Sequence, residues 1–439
     1  LTGPGRRIFL WSITSALAGF LFGFDTVVIS GAEKTIQTLW HLNPFVHGLV
    51  IAAALYGTVA GSLLGGWPPD RFGRRASLIF IGILYLIGAV GSALATDVYI
   101  FIVARFIGGV GIGMSTIAAP LYIAEISPPG YRGRLAGLFQ FNIVFGIVVA
   151  YASNALLSGS GADAWRYMIG VAALPSLIYT VMCLSLPESP RWLLNRCRQV
   201  EGLRVLQLIR PEASPKELQA EADLMIRPQT KAATPFWSRS LRTPILLAIL
   251  IAVFNQMSGI NAILYFAPRI FELTGLGAKA ALLQSVGIGL TNLVATFAGL
   301  WLIDRLGRRT LLIIGSLGYI ASLSLVAFAF FTALYAIVPI CIFAFIAAHA
   351  IGQGVVIWVY IAEIFPTEHR AEGQALGSFT HWLFAALLTT IFPALVQSFQ
   401  AGYVFAFFAA MMVLQLIWAK TMVIETKGVT LEKIEQRIH

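Results

Sequence analysis

Twelve runs of about twenty mainly apolar residues constrain this chain more than any other feature. A membrane helix needs roughly 20 such residues to cross about 30 Å of hydrocarbon. The runs fall near 9–31, 45–66, 77–94, 98–123, 134–157 and 166–186. After a polar stretch at 190–241 they resume near 243–271, 281–303, 310–331, 334–363, 371–396 and 401–423. Only 11% of the 439 residues are Asp, Glu, Lys or Arg, against roughly 25% in a soluble protein. A single soluble core is excluded. So is disorder, which requires low hydrophobicity, because 58% of the chain is hydrophobic. The expected class is an all-α, multi-pass membrane protein.

The net charge of +10 would raise the question of nucleic acid in a soluble protein. Here it reads as topology. Twenty-five of the 30 Lys and Arg residues lie before the first run, after the even-numbered runs, in the polar stretch or in the tail. The opposite side holds Lys34, Arg166, Arg269 and Lys279. Both termini are therefore expected on the cytoplasmic side, with the polar stretch. Cys183, Cys197 and Cys341 are too few and too scattered for a disulfide framework or a metal centre.

The two halves repeat. D-R-F-G-R-R at 70–75 recurs as D-R-L-G-R-R at 304–309, and Y-I-A-E-I-S-P at 122–128 recurs as Y-I-A-E-I-F-P at 360–366. Two ordered motif pairs at nearly one spacing imply two six-helix bundles related by pseudo-symmetry. Substrate is then expected near the midplane between them, with access alternating by rocking. The expected organisation is an N-terminal bundle (1–189), a linker with short amphipathic helices (190–241), a C-terminal bundle (242–423) and a tail (424–439). The repeated charges, Asp70, Arg74, Arg75, Glu125 and Arg132 in one half and Asp304, Arg308, Arg309, Glu363 and Arg370 in the other, are expected to form cytoplasmic ion-pair locks. Glu188 and Arg191 fit the same belt. In the linker, Leu203, Leu206 and Ile209 share helical spacing, and Ser214-Pro215 followed by acids reads as a helix start.

Asp25 lies inside the first apolar run. A carboxylate in hydrocarbon is expensive and functional by default, and burial favours its protonated form, so Asp25 reads as a proton carrier. Arg105, the one basic residue deep in a run, is its natural partner. A protonated Asp25 would release the arginine and a deprotonated one would hold it. A static buried ion pair is the alternative. Amides cluster in other runs: Gln140 and Asn142; Asn255, Gln256 and Asn261; Asn292. Each offers a donor and an acceptor, as sugar hydroxyls require. Trp358 and Trp382 supply apolar faces for a pyranose ring. Asn142 reads as the most structural of the amides. Gly259 marks an expected unwinding of the seventh run, and Pro268 an expected bend or end. Enzyme signatures are absent: no nucleotide loop, no H-E-x-x-H and no paired-Cys zinc spacing. Gly109, Gly111 and Gly113 lie inside an apolar run and read as close helix packing. No cofactor or metal is expected.

With G-F-D-T-V-V-I-S-G, D-R-F-G-R-R, P-E-S-P-R-W-L, Q-M-S-G-I-N and E-T-K-G in place, the chain resembles the sugar porter family of the major facilitator superfamily over essentially its full length. It is similar to bacterial proton-coupled pentose and hexose symporters and to facilitative glucose transporters. The resemblance implies proton symport at Asp25, where facilitators carry Asn, with Arg105 as its partner. It implies sugar contacts at Gln140, Asn255, Gln256, Asn261, Asn292, Trp358 and Trp382, and a gate at Tyr265 and Phe266. Asn255 stands where the first of two Gln is usual, Phe266 where a second Tyr is common, and His381 where Gln or Asn is frequent. Gln353 and Val355 depart from a Pro-rich pattern around Gly354. The implied partners are a monosaccharide, a proton and membrane lipid. The expected cargo is a hexose, D-glucose first, with D-xylose and D-galactose open. The chain is expected to work as a monomer in a bacterial inner membrane. Uniport without proton coupling, drug export and sugar sensing are the rival readings.

Overall fold

The computed structural model describes residues 3–128, 132–226, 235–366 and 368–429. Among them, twelve helices are long and apolar enough to cross a membrane. In order they are Gly5–Gly31, Pro44–Leu64, Arg74–Ala93, Val98–Ile126, Gly137–Leu157, Ala164–Cys183, Arg239–Tyr265, Ala278–Leu306, Arg308–Thr332, Tyr335–Ile364, Arg370–Ser398 and Ala401–Thr421. Each coincides with an expected run to within several residues. Helices dominate because no other open structure satisfies its backbone within a membrane.

Two spans are broken where the sequence is unusual. The seventh runs as helix from Arg242 to Met257, breaks at Gly259 (φ +84°) and resumes over Ile260–Tyr265. A side chain at 259 would be strained by that φ, and its Cβ would sit 2.6 Å from the Phe408 ring. Pro268 opens a separate short helix, Ala267–Glu272, where its missing N–H costs nothing. The tenth span widens into a π segment at Ala350–Gly354, an irregularity that collects at functional sites.

Contacts divide the chain into two compact units that differ from the two sequence halves. One comprises 1–26, 56–147 and 169–230; the other comprises 27–55, 148–168 and 231–439. The first unit is built on the close approach of its third and fourth spans, where a Cβ at Gly88 would meet Gly108 Cα at 2.7 Å. A Cβ at Gly113 would meet Thr58 O at 2.3 Å, so this glycine serves close packing as expected. Leu78, Ile81, Tyr122 and Ile123 lie in the core of this unit.

The linker contributes three short helices to the same unit: Pro190–Asn195, Gln199–Ile209 and Pro215–Met225. Ser214 caps the last through a reciprocal bond pair with Glu217, the arrangement its Ser-Pro start implied. Leu194, Leu206, Leu218 and Ala222 form a small core of their own. Trp192 Nε1 and Arg196 Nη2 both donate to Asp70 O at 3.0 Å, so the linker docks on the D-R-F-G-R-R turn. The second unit has its core on the seventh, tenth and twelfth spans, with Leu247, Ile251, Val356, Tyr360 and Trp418 buried.

Candidate transport site

Asp25 lies within the first span's buried stretch, and Arg105 points at it from the fourth. Arg105 Nη1 donates to Asp25 Oδ1 at 2.6 Å, and Nη2 reaches Asp25 O at 3.3 Å. Their side chains are 12% and 2% exposed, which keeps the pair away from screening solvent. Asp25 Oδ2 and Arg105 Nε have no hydrogen-bond partner among the described residues. The pair is thus incomplete on both sides: one oxygen and one N–H remain for a proton, a water or a ligand. Gln140 is half-buried in the same unit. Asn142 instead donates to Leu138 O at 2.8 Å, inside its own helix, so its amide is spent on structure.

In the second unit the broken seventh span brings three amides together. Asn261 Nδ2 donates to Gln256 Oε1 at 2.7 Å, and Gln256 Nε2 donates to Asn255 Oδ1 at 2.9 Å. The turn at Gly259 makes the first contact, since it brings residue 261 back over residue 256. Gln256 Nε2 also lies 3.2 Å from His381 Nε2. The His381 ring is 5.1 Å from Trp358 and 4.7 Å from Trp382, centroid to centroid. Amides, imidazole and two indoles therefore share one neighbourhood, which suits a ligand with hydroxyl edges and an apolar face. Asn255 Nδ2 points to Gln353 Oε1 at 3.4 Å. Asn292 is half-buried and accepts from Thr296 Oγ1 at 3.5 Å; no hydrogen bond joins it to the cluster among the described residues. In the sequence His381 is only a departure from the family's usual residue; its place between two tryptophans is what marks it.

The aromatic pair Tyr265–Phe266 is fully buried. Phe266 stacks on Phe392 at 5.3 Å and meets His47 edge-on at 6.0 Å. The second unit is sealed around it. A Cβ at Gly48 would fall 1.9 Å from Thr390 O, and Tyr151 Oη donates to Leu264 O at 2.7 Å. Charges that the sequence did not single out add to this seal. Arg269 Nε donates to Glu33 Oε1 at 3.0 Å and Arg269 Nη2 to Gln37, while Lys34 pairs with Glu272. His47 Nε2 stands 3.0 Å from both Glu33 Oε2 and Glu33 O; only the backbone oxygen is well aligned, so the carboxylate contact is electrostatic.

The repeated charge motifs build the same cluster once in each unit. In the first, Arg74 lays Nε and Nη2 on Glu125 at 2.8 and 2.9 Å, and Nη1 reaches Asp70 at 3.1 Å. In the second, Arg308 does the same with Glu363 at 3.0 and 2.8 Å and with Asp304 at 3.3 Å. The fork-to-fork geometry is the strong form of an ion pair; the two Asp contacts are exposed and weak. Glu188 is not a charge partner of this kind. Its carboxylate takes the backbone N–H of Arg74 at 2.8 Å and of Arg75 at 3.2 Å, capping the third span at its positive end. Burial holds the Glu188 carboxyl above the usual range, and the N–H groups of Ser189, Arg75 and Arg74 offset only part of that rise.

Glu425, which no sequence motif singles out as a cap, does the same for Arg308 and Arg309 at 2.9 and 3.1 Å. Its E-T-K-G context was visible, but its role depends on matching Glu188 in the other half. Arg75 and Arg309 spend their guanidinium groups on helix-end carbonyls, Leu184 O and Lys420 O, each at 2.5 Å. The expected Arg191 ion pair is absent among the described residues: Arg191 is exposed, because the first turn of its linker helix directs it outward. Arg370 opens the eleventh span. Arg132 begins the helix of the fifth span, and its side chain lies outside the described residues.

The profile of sugar (and other) transporters matches residues 11–437. An arabinose-proton symporter of Bacillus subtilis is 35% identical, over 98% of this chain and 94% of that protein. A glucose transporter of Staphylococcus epidermidis is 33% identical, over 98% of this chain and 97% of that one. A solved structure of the xylose transporter of E. coli, in a partially occluded inward-open conformation, superposes with a TM-score of 0.85 at 31% identity, over 96% of this chain and 99% of that one.

Proposed function

We propose, because this chain belongs to the sugar transporter family of the major facilitator superfamily, that it moves a monosaccharide and a proton together across the membrane. It is a secondary active transporter and not an enzyme, and it is a multi-pass protein of the bacterial inner membrane. The observation that carries the symport reading is the buried Asp25–Arg105 pair at 2.6 Å. Protonation at Oδ2, the oxygen without a partner, removes the charge that holds Arg105. The freed guanidinium then changes what the first and fourth spans hold in common, and a proton gradient acquires a lever on the alternating-access cycle.

The sugar contacts we assign are Asn255, Gln256, Asn261, Trp358 and Trp382, joined by Gln140 and Asn292. The cargo is a neutral monosaccharide, a hexose with D-glucose first; the relatives named for arabinose, xylose and glucose support that class. Tyr265 and Phe266 act as the gate, and the Arg74–Glu125 and Arg308–Glu363 clusters as locks on the linker side. That side is cytoplasmic, with both termini, and the protein works as a monomer surrounded by lipid. The sequence halves, 1–189 and 242–423, are the bundles that alternate.

The test is sugar-induced proton movement in proteoliposomes. Adding D-glucose, D-xylose or L-arabinose without an imposed gradient should alkalinise the outer medium. Asp25→Asn should abolish accumulation against a gradient and keep sugar exchange. Sugar uptake with no proton movement in the unmodified protein would replace symport by uniport.

A further inference from the structure

The amides of the seventh span continue into a longer chain that runs away from the proposed sugar contacts. Beyond Asn255, Gln353 Nε2 donates to Gln415 Oε1 at 3.0 Å, Gln415 Nε2 to Ser316 Oγ at 2.8 Å, and Ser316 Oγ to Leu312 O at 2.7 Å. Gln353, Gln415 and Ser316 are fully buried. They come from the tenth, twelfth and ninth spans. The π segment at Ala350–Gly354 carries Gln353. A buried amide in a span is costly unless both its ends are paired, so six consecutive polar side chains with no ion among them call for an explanation.

The explanation lies in the direction of the bonds. Asn261 donates to Gln256, Gln256 to Asn255, Asn255 to Gln353, Gln353 to Gln415, Gln415 to Ser316, and Ser316 to a backbone carbonyl. Leu312 O can only accept. With Ser316 donating to it, the Ser316 oxygen receives Gln415 Nε2, which turns Gln415 Oε1 towards Gln353, and the same choice passes up the chain. Each amide that donates becomes a better acceptor at its own carbonyl, so aligned bonds reinforce one another. At the head of the chain, Asn261 Oδ1 has no hydrogen-bond partner among the described residues.

We infer that Gln353, Gln415 and Ser316 are positioning residues for sugar recognition. They hold Asn255, Gln256 and Asn261 in one amide orientation, so that Asn261 offers its carbonyl oxygen to a sugar hydroxyl that donates. A flipped Asn261 would present N–H groups instead and select a different hydroxyl pattern. The inference rests on the transport reading above for its ligand, but not for the chain itself.

Two measurements separate the two. The first is transport by the Q353M/Q415M variant, which removes two facing amides and keeps their volume. In proteoliposomes its half-saturation concentration should rise about tenfold, the loss expected for one mis-set buried hydrogen bond. Its maximal exchange rate should stay within about twofold. A half-saturation unchanged for every sugar tried would overturn the inference. If the double variant does not fold, Ser316→Ala takes its place; it removes only the end of the chain and should raise half-saturation about threefold. The second measurement needs no transport. In protein labelled with 15N-asparagine, the Asn261 side-chain amide resonance, assigned by its loss in Asn261→Ala, should move in Ser316→Ala, five bonds away along the chain. A fixed resonance would overturn the positioning role whatever the protein carries. A moved resonance in a protein that transports no sugar would leave the chain standing and remove the transport reading.

Discussion

Glu33 and Arg269 meet at 3.0 Å although 236 residues separate them in the sequence. The Glu33 side chain is 2% exposed and Arg269 is 21% exposed. Removing the arginine leaves a buried carboxylate whose one other ion-pair contact among the described residues is His47. Arg269→Ala should therefore weaken the sealed arrangement of the second unit by about 1–3 kcal/mol, less than a fully buried pair because Arg269 is partly wet. Spin labels on L39C and L273C, in a chain freed of exposed Cys197, would report it. The distance distribution should broaden towards longer values in R269A. An unchanged distribution would remove Glu33–Arg269 from the seal.

Gly73 and Gly307 stand at φ +100° and +90°, each opening a span. A Cβ there would lie 2.3 Å from Glu188 Oε2 and 2.5 Å from Glu425 Oε2. Gly73→Ala and Gly307→Ala should each cost about 1–3 kcal/mol through strain and loss of the capping carboxylate. Gly159→Ala, which meets nothing within 4 Å, is the control. Thermal unfolding in detergent measures all three, and equal shifts would refute the capping account.

The Glu217 carboxyl is held below the usual range by the Ser214 N–H and then the Ser214 hydroxyl. Its folded value thus lies below its unfolded value of about 4.3. The cap's stabilisation is complete above the unfolded value and is lost as pH falls through the folded one. Protection factors for amide exchange in Pro215–Met225 should fall on acidification, and Glu217→Gln should lack that change. A loss of the same size in the variant would assign it to another group.

Asn142 and Gln256 make opposite commitments. Asn142 bonds its own helix, whereas Gln256 contacts Asn255, Asn261 and His381. Gln256→Ala should raise half-saturation for sugar by about tenfold or more, and Asn142→Ala should change it less than about twofold. Equal effects would mean that the amide cluster is not the sugar's.

Asp25 with Arg105 and the doubled D-R-x-G-R-R turns are legible in the sequence alone. So is the break at Gly259. Each rests on a local rule: charge is scarce in a span, a motif repeats, a glycine interrupts an apolar run. Glu425, His47, Gln415 and Ser316 were not legible. Glu425 reads as one more tail acid, His47 as a histidine near a span end, and Gln415 as a polar residue without company in its window. Arg191 erred the other way, since a basic residue in a charged belt looks paired until its helix face is known.

The sequence by itself determined the solvent: twelve apolar stretches, their order, and the few charges permitted among them. A residue's transfer from water to hydrocarbon depends mainly on its own side chain, so one chain suffices to read it. Only the tertiary structure decided which polar groups answer one another. Asn261 could have bonded any neighbour of its span. It became the head of a chain ending at Leu312 because the seventh, tenth, twelfth and ninth spans pack side by side there. Hydrogen bonds act over about 3 Å, and separation along the sequence does not set that distance.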